Sequence, residues 1–401
     1  MSISIINKKL CCGCEACVQI CSRQAIEMKE DDEGFRYPIV NQDVCSECGS
    51  CEKVCQYKIS ISKNQEQQFA FGGHIDNKDV LNESTSGGAF TAIVNKWCDK
   101  DYVIFGAEAK GLNVFHSFII DKRELSKYRR SKYSQSVIGT SYADARSFLK
   151  QGKKVLFSGT PCQIAGLKSF LRNKEFDNLL TVEVICEGVP SPLFIRKYEE
   201  SIHNKYGCKI TSLDYRYKDF DRWDYEVMNT TLDCSNGFKT IKKDRWFNPF
   251  WSIWLNHLMS RPSCYKCPYT TANRVADISL GDLWGVHIYC PDLYNSNKGA
   301  SLIITNTRKG EKLVRDIMGK EFQGRELKFT DALRFQGPMR KSIAENPNRP
   351  AFIRDLQTKD YESICKEWAR PSSIKLLISK YVWGTNRQKV YLWKIKKRLS
   401  N

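Results

Sequence analysis

The chain has 401 residues, a formal net charge of +18 and 18 cysteines. Its length suits two or three domains, and 41% hydrophobic residues are enough to bury a sizeable core, which excludes disorder as its main state. No apolar run approaches the ~18 residues that span a bilayer, and the opening MSISIINKKLCC lacks the apolar stretch of a signal peptide. These features predict a cytoplasmic protein, where dense cysteine points to metal or redox chemistry rather than disulfides. Residues 1–60 hold seven Lys/Arg against nine Asp/Glu, so the basic excess lies in the rest of the chain. Residues 368–401 alone carry nine Lys/Arg and no acid.

Cysteines dominate the first segment. Cys11, Cys14, Cys17 and Cys21 are echoed 34 residues on by Cys45, Cys48, Cys51 and Cys55. Both runs read C-x2-C-x2-C-x3-C. In such paired runs the fourth cysteine of each ligates the other cluster. Cys11, Cys14, Cys17 and Cys55 are therefore assigned to one 4Fe-4S cluster, and Cys45, Cys48, Cys51 and Cys21 to a second. Structural zinc sites usually separate two C-x2-C units by a longer gap, so zinc fits poorly. Cys12 reads as a spare, not a ligand. Between the runs, residues 29–38 suit a short hairpin.

Residues 61–83 read as a polar linker. A larger α/β domain is expected over residues 84–367. Residues 102–106 and 114–120 read as strands, and 154–157 and 181–185 as buried strands. Helical patterns follow the last two at 163–171 and 193–203, an alternation that favours an α/β domain. Residues 210–260, rich in aromatics, read as mixed. A basic tail with helical rhythm occupies 368–401. The predicted fold class is α+β: an N-terminal two-cluster ferredoxin-like domain, then a larger α/β domain.

A second cysteine set is dispersed. Cys162 lies at a strand–turn–helix junction, Cys186 ends the next strand, and Cys264 and Cys267 form a C-x2-C before Pro268. Ligand crevices in α/β sheets open at the carboxyl ends of strands, so these four are candidates for a third 4Fe-4S site. Cys98, Cys208, Cys234, Cys290 and Cys365 read as small packing residues.

At these residues the chain resembles the beta-subunit family of coenzyme F420 hydrogenases and dehydrogenases. The motifs are Ser84-Thr85-Ser86-Gly87-Gly88-Ala89-Phe90, Ser131-Lys132-Tyr133-Ser134-Gln135-Ser136, Gly159-Thr160-Pro161-Cys162-Gln163 and Cys186-Glu187-Gly188-Val189-Pro190-Ser191. Cys264-Tyr265-Lys266-Cys267-Pro268-Tyr269, the run Ala276 to Gly285 and Lys298-Gly299-Ala300-Ser301 follow in order. Residues 5–60 resemble bacterial two-cluster ferredoxins, except that Ser22 and Gln56 stand where those proteins usually carry Pro. The resemblance implies FAD beside a 4Fe-4S cluster. It makes Ser86, Gly87, Gly88, Lys132, Tyr133, Gln135, Thr160, Asp282, Trp284 and Gly285 candidate flavin contacts. A Ser/Gly loop opening a helix offers unpaired N–H groups to phosphate oxygens. Glu187 replaces a His common in relatives, and His116 and His287 are weighed as proton carriers.

The function read from the sequence is an iron–sulfur flavoprotein oxidoreductase. It would pass electrons between a ferredoxin-like or deazaflavin carrier and an unknown small or glycan-precursor substrate. Two alternatives stand beside it: an electron-transfer subunit of a hydrogenase- or dehydrogenase-like complex, and a membrane-surface module using the basic amphipathic tail. No nucleic-acid-binding motif accompanies the charge.

Overall fold

The computed structural model describes residues 7–58, 66–218, 226–293, 299–371, 373–378, 380–381, 391–392, 395 and 398–399. Lys298 and Trp393, which belong to the family motif and the tail, lie outside the described residues.

Thirteen strands are described: β1 (Ile26–Glu30), β2 (Arg36–Val40), β3 (Phe69–Ile75), β4 (Tyr102–Lys110), β5 (Asn113–Ile119), β6 (Lys154–Gly159) and β7 (Leu179–Val184), then β8 (Lys209–Tyr217), β9 (Val227–Cys234), β10 (Gly237–Lys243), β11 (Ile278–Asp282), β12 (Ser301–Thr305) and β13 (Phe322–Leu327). The predicted hairpin is β1–β2, paired from Ile26 with Val40 to Glu30 with Arg36.

The main sheet has eight strands in the order β13-β3-β12-β11-β7-β6-β4-β5. Its centre, β11-β7-β6-β4, is parallel, and the flanks are antiparallel. Parallel strands are buried on both faces, and the side chains alternate accordingly. Ile104 and Leu156 face helices Ala89–Trp97 and Arg308–Ile317. Val103, Phe105, Val155 and Phe157 face helices Ser141–Lys150 and Pro161–Phe170. This period of two is the strand's own geometry.

One expectation fails here. Residues 61–83 are not a linker throughout: β3 lies inside the main sheet between β12 and β13, and helix Lys78–Glu83 follows it. The apolar run Phe69-Ala70-Phe71 follows directly on a polar stretch, and the glycine pair behind it resembles a break. Those glycines are instead required by crowding. A Cβ on Gly73 would strike the Gln323 carbonyl and the Gly324 backbone, so β13 can approach only glycine. Residues 61–65 lie outside the described set.

The second sheet, β10-β9-β8, packs with helices Pro192–Tyr206, Pro249–Leu255 and Arg349–Thr358 in a separate aromatic core that includes Phe194, Phe250, Trp251 and Phe352. A disulfide joins Cys208 to Cys234 across the β8–β9 pair, which corrects their reading as packing thiols. The two lie 26 residues apart, and it is the strand pairing that brings them together.

The N-terminal segment is docked into the large domain rather than strung beside it. Ala16 and Val54 belong to the same core cluster as Tyr142, Ile164, Leu167 and Phe170. Polar bonds reinforce that seam: Gln19 Oε1 accepts from the N–H groups of Tyr142 and Ala143 at 3.0 and 3.1 Å, and Ser169 Oγ donates to the Val54 carbonyl at 2.6 Å. Each such bond contributes about 1 kcal/mol net.

Candidate functional site

Helix Ala16–Ile20 begins inside the first cysteine run, and Ser50–Lys53 begins inside the second. Gly49, in the left-handed region, opens the second. Cys14, Cys11 and Cys55 all lie close enough to Cys17 to raise its thiol pKa, after burial as the largest cause. Cys55 is pushed up to about 11 by burial, with Cys14 and Cys11 adding. Cys11, Cys14, Cys17 and Cys55 are the set assigned together from spacing, and Cys51 of the other set also raises Cys17. The second set lines one pocket: Cys21, Cys45, Cys48 and Cys51 surround it with Ile26 and Val40.

The dispersed set also converges. Pro161 and Cys162 open helix Pro161–Phe170 directly after β6, and Cys186 follows β7. Cys264 lies in the 3-10 turn Pro262–Lys266, with Cys267 capping it. Burial drives the Cys186 thiol well up, and Cys264, Cys162 and Cys267 each push further. Cys264 is pushed up to about 12 by burial and then by Cys267 and Cys162. Four half-buried thiols that repel each other as thiolates suit a cationic centre that can neutralise them. Among the described residues, no three His, Cys, Asp or Glu side chains close tightly enough for a single ion. Sulfurs at four corners of a cubane stand farther apart than four around one zinc.

A buried ion pair holds this site in shape. Arg274 Nε donates to Glu183 Oε1 on β7, both side chains at most 1% exposed. Arg274 Nη1 donates to the Tyr269 carbonyl at 2.7 Å. The loop after Cys267 is thereby tied to the strand that ends at Cys186. Removing one partner of such a pair costs about 3–5 kcal/mol.

The flavin candidates divide into three groups. Asp282, at the end of β11, accepts from Arg216 Nη1 at 3.0 Å, and the Arg216 guanidinium lies over the Trp284 ring at 5.5 Å. Tyr133 OH accepts from the same nitrogen at 3.2 Å, while its ring packs edge-on to Trp251 and Trp254. Arg216 Nε and Nη2 and Asp282 Oδ1 are buried with no hydrogen-bond partner among the described residues. Gly285 caps helix Val286–Tyr289 behind Trp284. These residues form one constellation.

The Ser86–Gly88 loop forms the second group. Ser86 Oγ donates to the Ala300 carbonyl at 2.5 Å, and Gly87 N–H donates to Ser301 Oγ at 2.9 Å. One expected phosphate donor is thus already engaged with Ser301. Lys218 Nζ donates to the Ser86 carbonyl at 2.6 Å and joins this loop to β8.

The third group has other partners in this structure. Gln135 Nε2 donates to the carbonyls of Cys12 and Gly13 at 2.7 and 3.2 Å, so its amide binds the N-terminal segment. Thr160 caps the helix that carries Cys162 and lies 3.1 Å from its sulfur. Lys132 Nζ donates to the carbonyls of Lys127, Arg129 and Arg130, which spends its donors within its own loop. Burial pushes it down to about 8.

Arg216 and Lys218 escape a reading of the sequence, because one cation among Tyr and Asp residues carries no spacing signal. His116 is structural: Nδ1 meets Ser136 Oγ and Nε2 meets the Ser158 carbonyl, and burial lowers it to about 4. Glu187 is pushed up by burial first and then by Glu226. No helix among the described residues is long and apolar enough to cross a membrane.

Residues 10–59 match the model of a 4Fe-4S dicluster domain. Residues 152–325 match the model for the C terminus of the beta subunit of coenzyme F420 hydrogenase/dehydrogenase. No curated protein sequence matches the chain. Among solved structures, the chain is similar to one from the F420-reducing NiFe hydrogenase complex of Methanosarcina barkeri, at 15% identity and a TM-score of 0.43, over 77% of this chain and 92% of that one. The N-terminal segment is thus a 4Fe-4S dicluster domain, and residues 152–325 are a segment of the type found at the C terminus of the coenzyme F420 hydrogenase/dehydrogenase beta subunit.

Proposed function

We propose that this protein is an iron–sulfur flavoprotein oxidoreductase with a third 4Fe-4S cluster and FAD, passing electrons between a ferredoxin-like or deazaflavin carrier and a small or glycan-precursor substrate. The observation that carries it is the convergence of Cys162, Cys186, Cys264 and Cys267 from separate elements at the carboxyl ends of β6 and β7.

A flavin exchanges two electrons and a cluster one, so the pair supplies conversion between the two. The chain's own residues bind and orient. Arg216 is held by Asp282 and Tyr133 through one nitrogen, which leaves Nε and Nη2 for the flavin. Buried polar atoms without partners call for a ligand or water, and Asp282 Oδ1 beside them would accept a flavin N–H. Lys218, whose Nζ bonds the Leu81 and Ser86 carbonyls at this loop, would exchange a carbonyl for a phosphate oxygen to take the diphosphate-neutralising role assigned to Lys132 from sequence. Trp284, under Arg216, shields the crevice from water. Glu187 directly follows Cys186, and its carboxyl, which burial makes hold its proton more tightly than usual, is the proton-holding group we assign.

Anaerobic reconstitution tests this reading. About twelve irons and one FAD per chain are expected, four irons per cubane. Eight irons, or no flavin, would reject it. A second reading is favoured by the family match: an electron-transfer subunit that meets its substrate only through a hydrogenase- or dehydrogenase-like partner. Reductase activity of the isolated chain with a small substrate separates the two. The basic tail is proposed to rest on an anionic membrane surface.

A further inference from the structure

Cys12 is not a ligand in either assignment, yet it is 7% exposed and sits at the meeting point of two ligand sets. Its sulfur lies close to those of Cys14, from the N-terminal set, and Cys162, from the dispersed set. Gln56 Nε2 donates to the Cys12 sulfur at 3.2 Å and to the Cys162 carbonyl at 2.8 Å. Gln56 Oε1 accepts from Tyr269 OH, two residues past Cys267. One buried amide therefore touches elements of both sets at once.

The packing around the junction is correspondingly close. Gly166, one helical turn after Cys162, lies where any Cβ would meet Cys14 Cβ at 3.0 Å and Cys14 Sγ at 3.2 Å. A larger residue there would push the two sets apart. Gln56 occupies the position after the fourth cysteine of its run, and a Pro there would have no amide to make these bonds.

We propose that Cys12 and Gln56 form the electron-transfer junction between the set Cys11, Cys14, Cys17 and Cys55 and the set Cys162, Cys186, Cys264 and Cys267. Gln56 is a positioning residue: it orients the Cys12 thiol between the Cys14 and Cys162 sulfurs and fixes their separation. One electron leaves one cluster, oxidising it by one unit, and enters the other, reducing it by one. No bond breaks and no proton moves. The first electron comes from a one-electron reductant, a low-potential ferredoxin or dithionite. The inference rests on the third cluster of the proposed function.

The experiment uses full-length reconstituted protein, with Cys12→Ala, Cys12→Ser, Gln56→Leu and Gln56→Pro. Iron content and rapid-freeze EPR after mixing with dithionite are read together. Wild type with twelve irons should show magnetic broadening between the two clusters when both are reduced. Cys12→Ala and Gln56→Leu should keep twelve irons and slow reduction of the second cluster roughly ten-fold, the scale of outer-shell effects at metal sites. Gln56→Pro, which also removes the amide, should behave as Gln56→Leu does. Cys12→Ser, which keeps a donor, should recover part of the rate. A reduction rate unchanged in both Cys12→Ala and Gln56→Leu at full iron content would overturn the junction and leave the third cluster standing. Eight irons in the wild type would overturn both.

Discussion

Arg261 Nε donates to the Cys11 carbonyl at 2.9 Å, so the segment leading to Cys264 and Cys267 is tied to the first ligand of the N-terminal run. Its Nη1 donates to Gln135 Oε1 and its Nη2 to the Arg36 carbonyl, both at 2.9 Å. The guanidinium lies 4.3 Å from the centroid of the Tyr37 ring, and the side chain is 1% exposed. Arg is needed because a planar fork reaches three acceptors at once.

Arg261→Met should therefore strand three buried acceptors. The expected loss is about 3–5 kcal/mol, as for other buried charged partners, read by urea unfolding under anaerobic conditions. Arg261→Lys should fall between, because an ammonium keeps the charge and loses the fork. Iron content of Arg261→Met should drop in both ligand sets together. Unfolding like that of the wild type would remove Arg261 as the clasp between the domains.

Lys218 gives a pH-dependent signature. Burial, reinforced by Arg216 and Arg130, pushes its pKa down to about 7 against the opposing pull of Asp282. An unfolded lysine titrates near ~10.4. Between these values the unfolded chain holds a proton the folded chain has lost, so this group makes stability rise as pH increases from about 7. A bound diphosphate would raise the Lys218 pKa again. FAD binding at pH 8 should then take up close to one proton, and clearly less at pH 6. Calorimetry in buffers of different ionisation enthalpy reads that uptake, and Lys218→Met should abolish it. Equal uptake in the variant would exclude Lys218 from the diphosphate site.

The parts legible in sequence were those set by local spacing. The two cysteine runs, the β1–β2 hairpin and the alternation around β6 and β7 could be read because each is a short-range pattern. Cys162 and Cys186 were legible as strand-end residues for the same reason. What escaped depends on distant partners. β3 was hidden because its glycines are explained only by the approach of β13. Arg216 acquires meaning only when β8 meets the end of β11 at Asp282. Gln56 was visible as a departure from Pro, but its two acceptors and its Tyr269 donor lie more than 40 residues away in sequence.

The Cys208–Cys234 disulfide escaped likewise, since the β8–β9 pairing that joins it is nonlocal. Closing a 26-residue span constrains the unfolded chain by about 3 kcal/mol. Cys208→Ala with Cys234→Ala should lower urea stability by that amount and leave the iron content intact, because the bond belongs to the second sheet. A change under ~1 kcal/mol would mean that the pair exists as thiols in the purified protein.

The tail supplies the last prediction. Ile374 is 77% exposed and Leu377, Ile378 and Tyr381 are also exposed, while Leu376 is buried and Lys380 pairs with Asp244. The anchor points thus hold the segment to the domain and leave apolar side chains facing out. Tyr391, Leu392, Ile395 and Leu399 are exposed too, within a stretch of nine Lys/Arg and no acid over residues 368–401. Exposed apolar groups interleaved with cations suit an anionic bilayer, where each basic residue near the surface contributes about 1 kcal/mol. Full-length protein should float with phosphatidylserine vesicles, remain unbound with neutral phosphatidylcholine vesicles, and dissociate in high salt as the Debye length shortens. A chain ending at Pro371 should stay at the bottom of the gradient. Equal recovery of the two proteins would exclude the tail as a membrane contact.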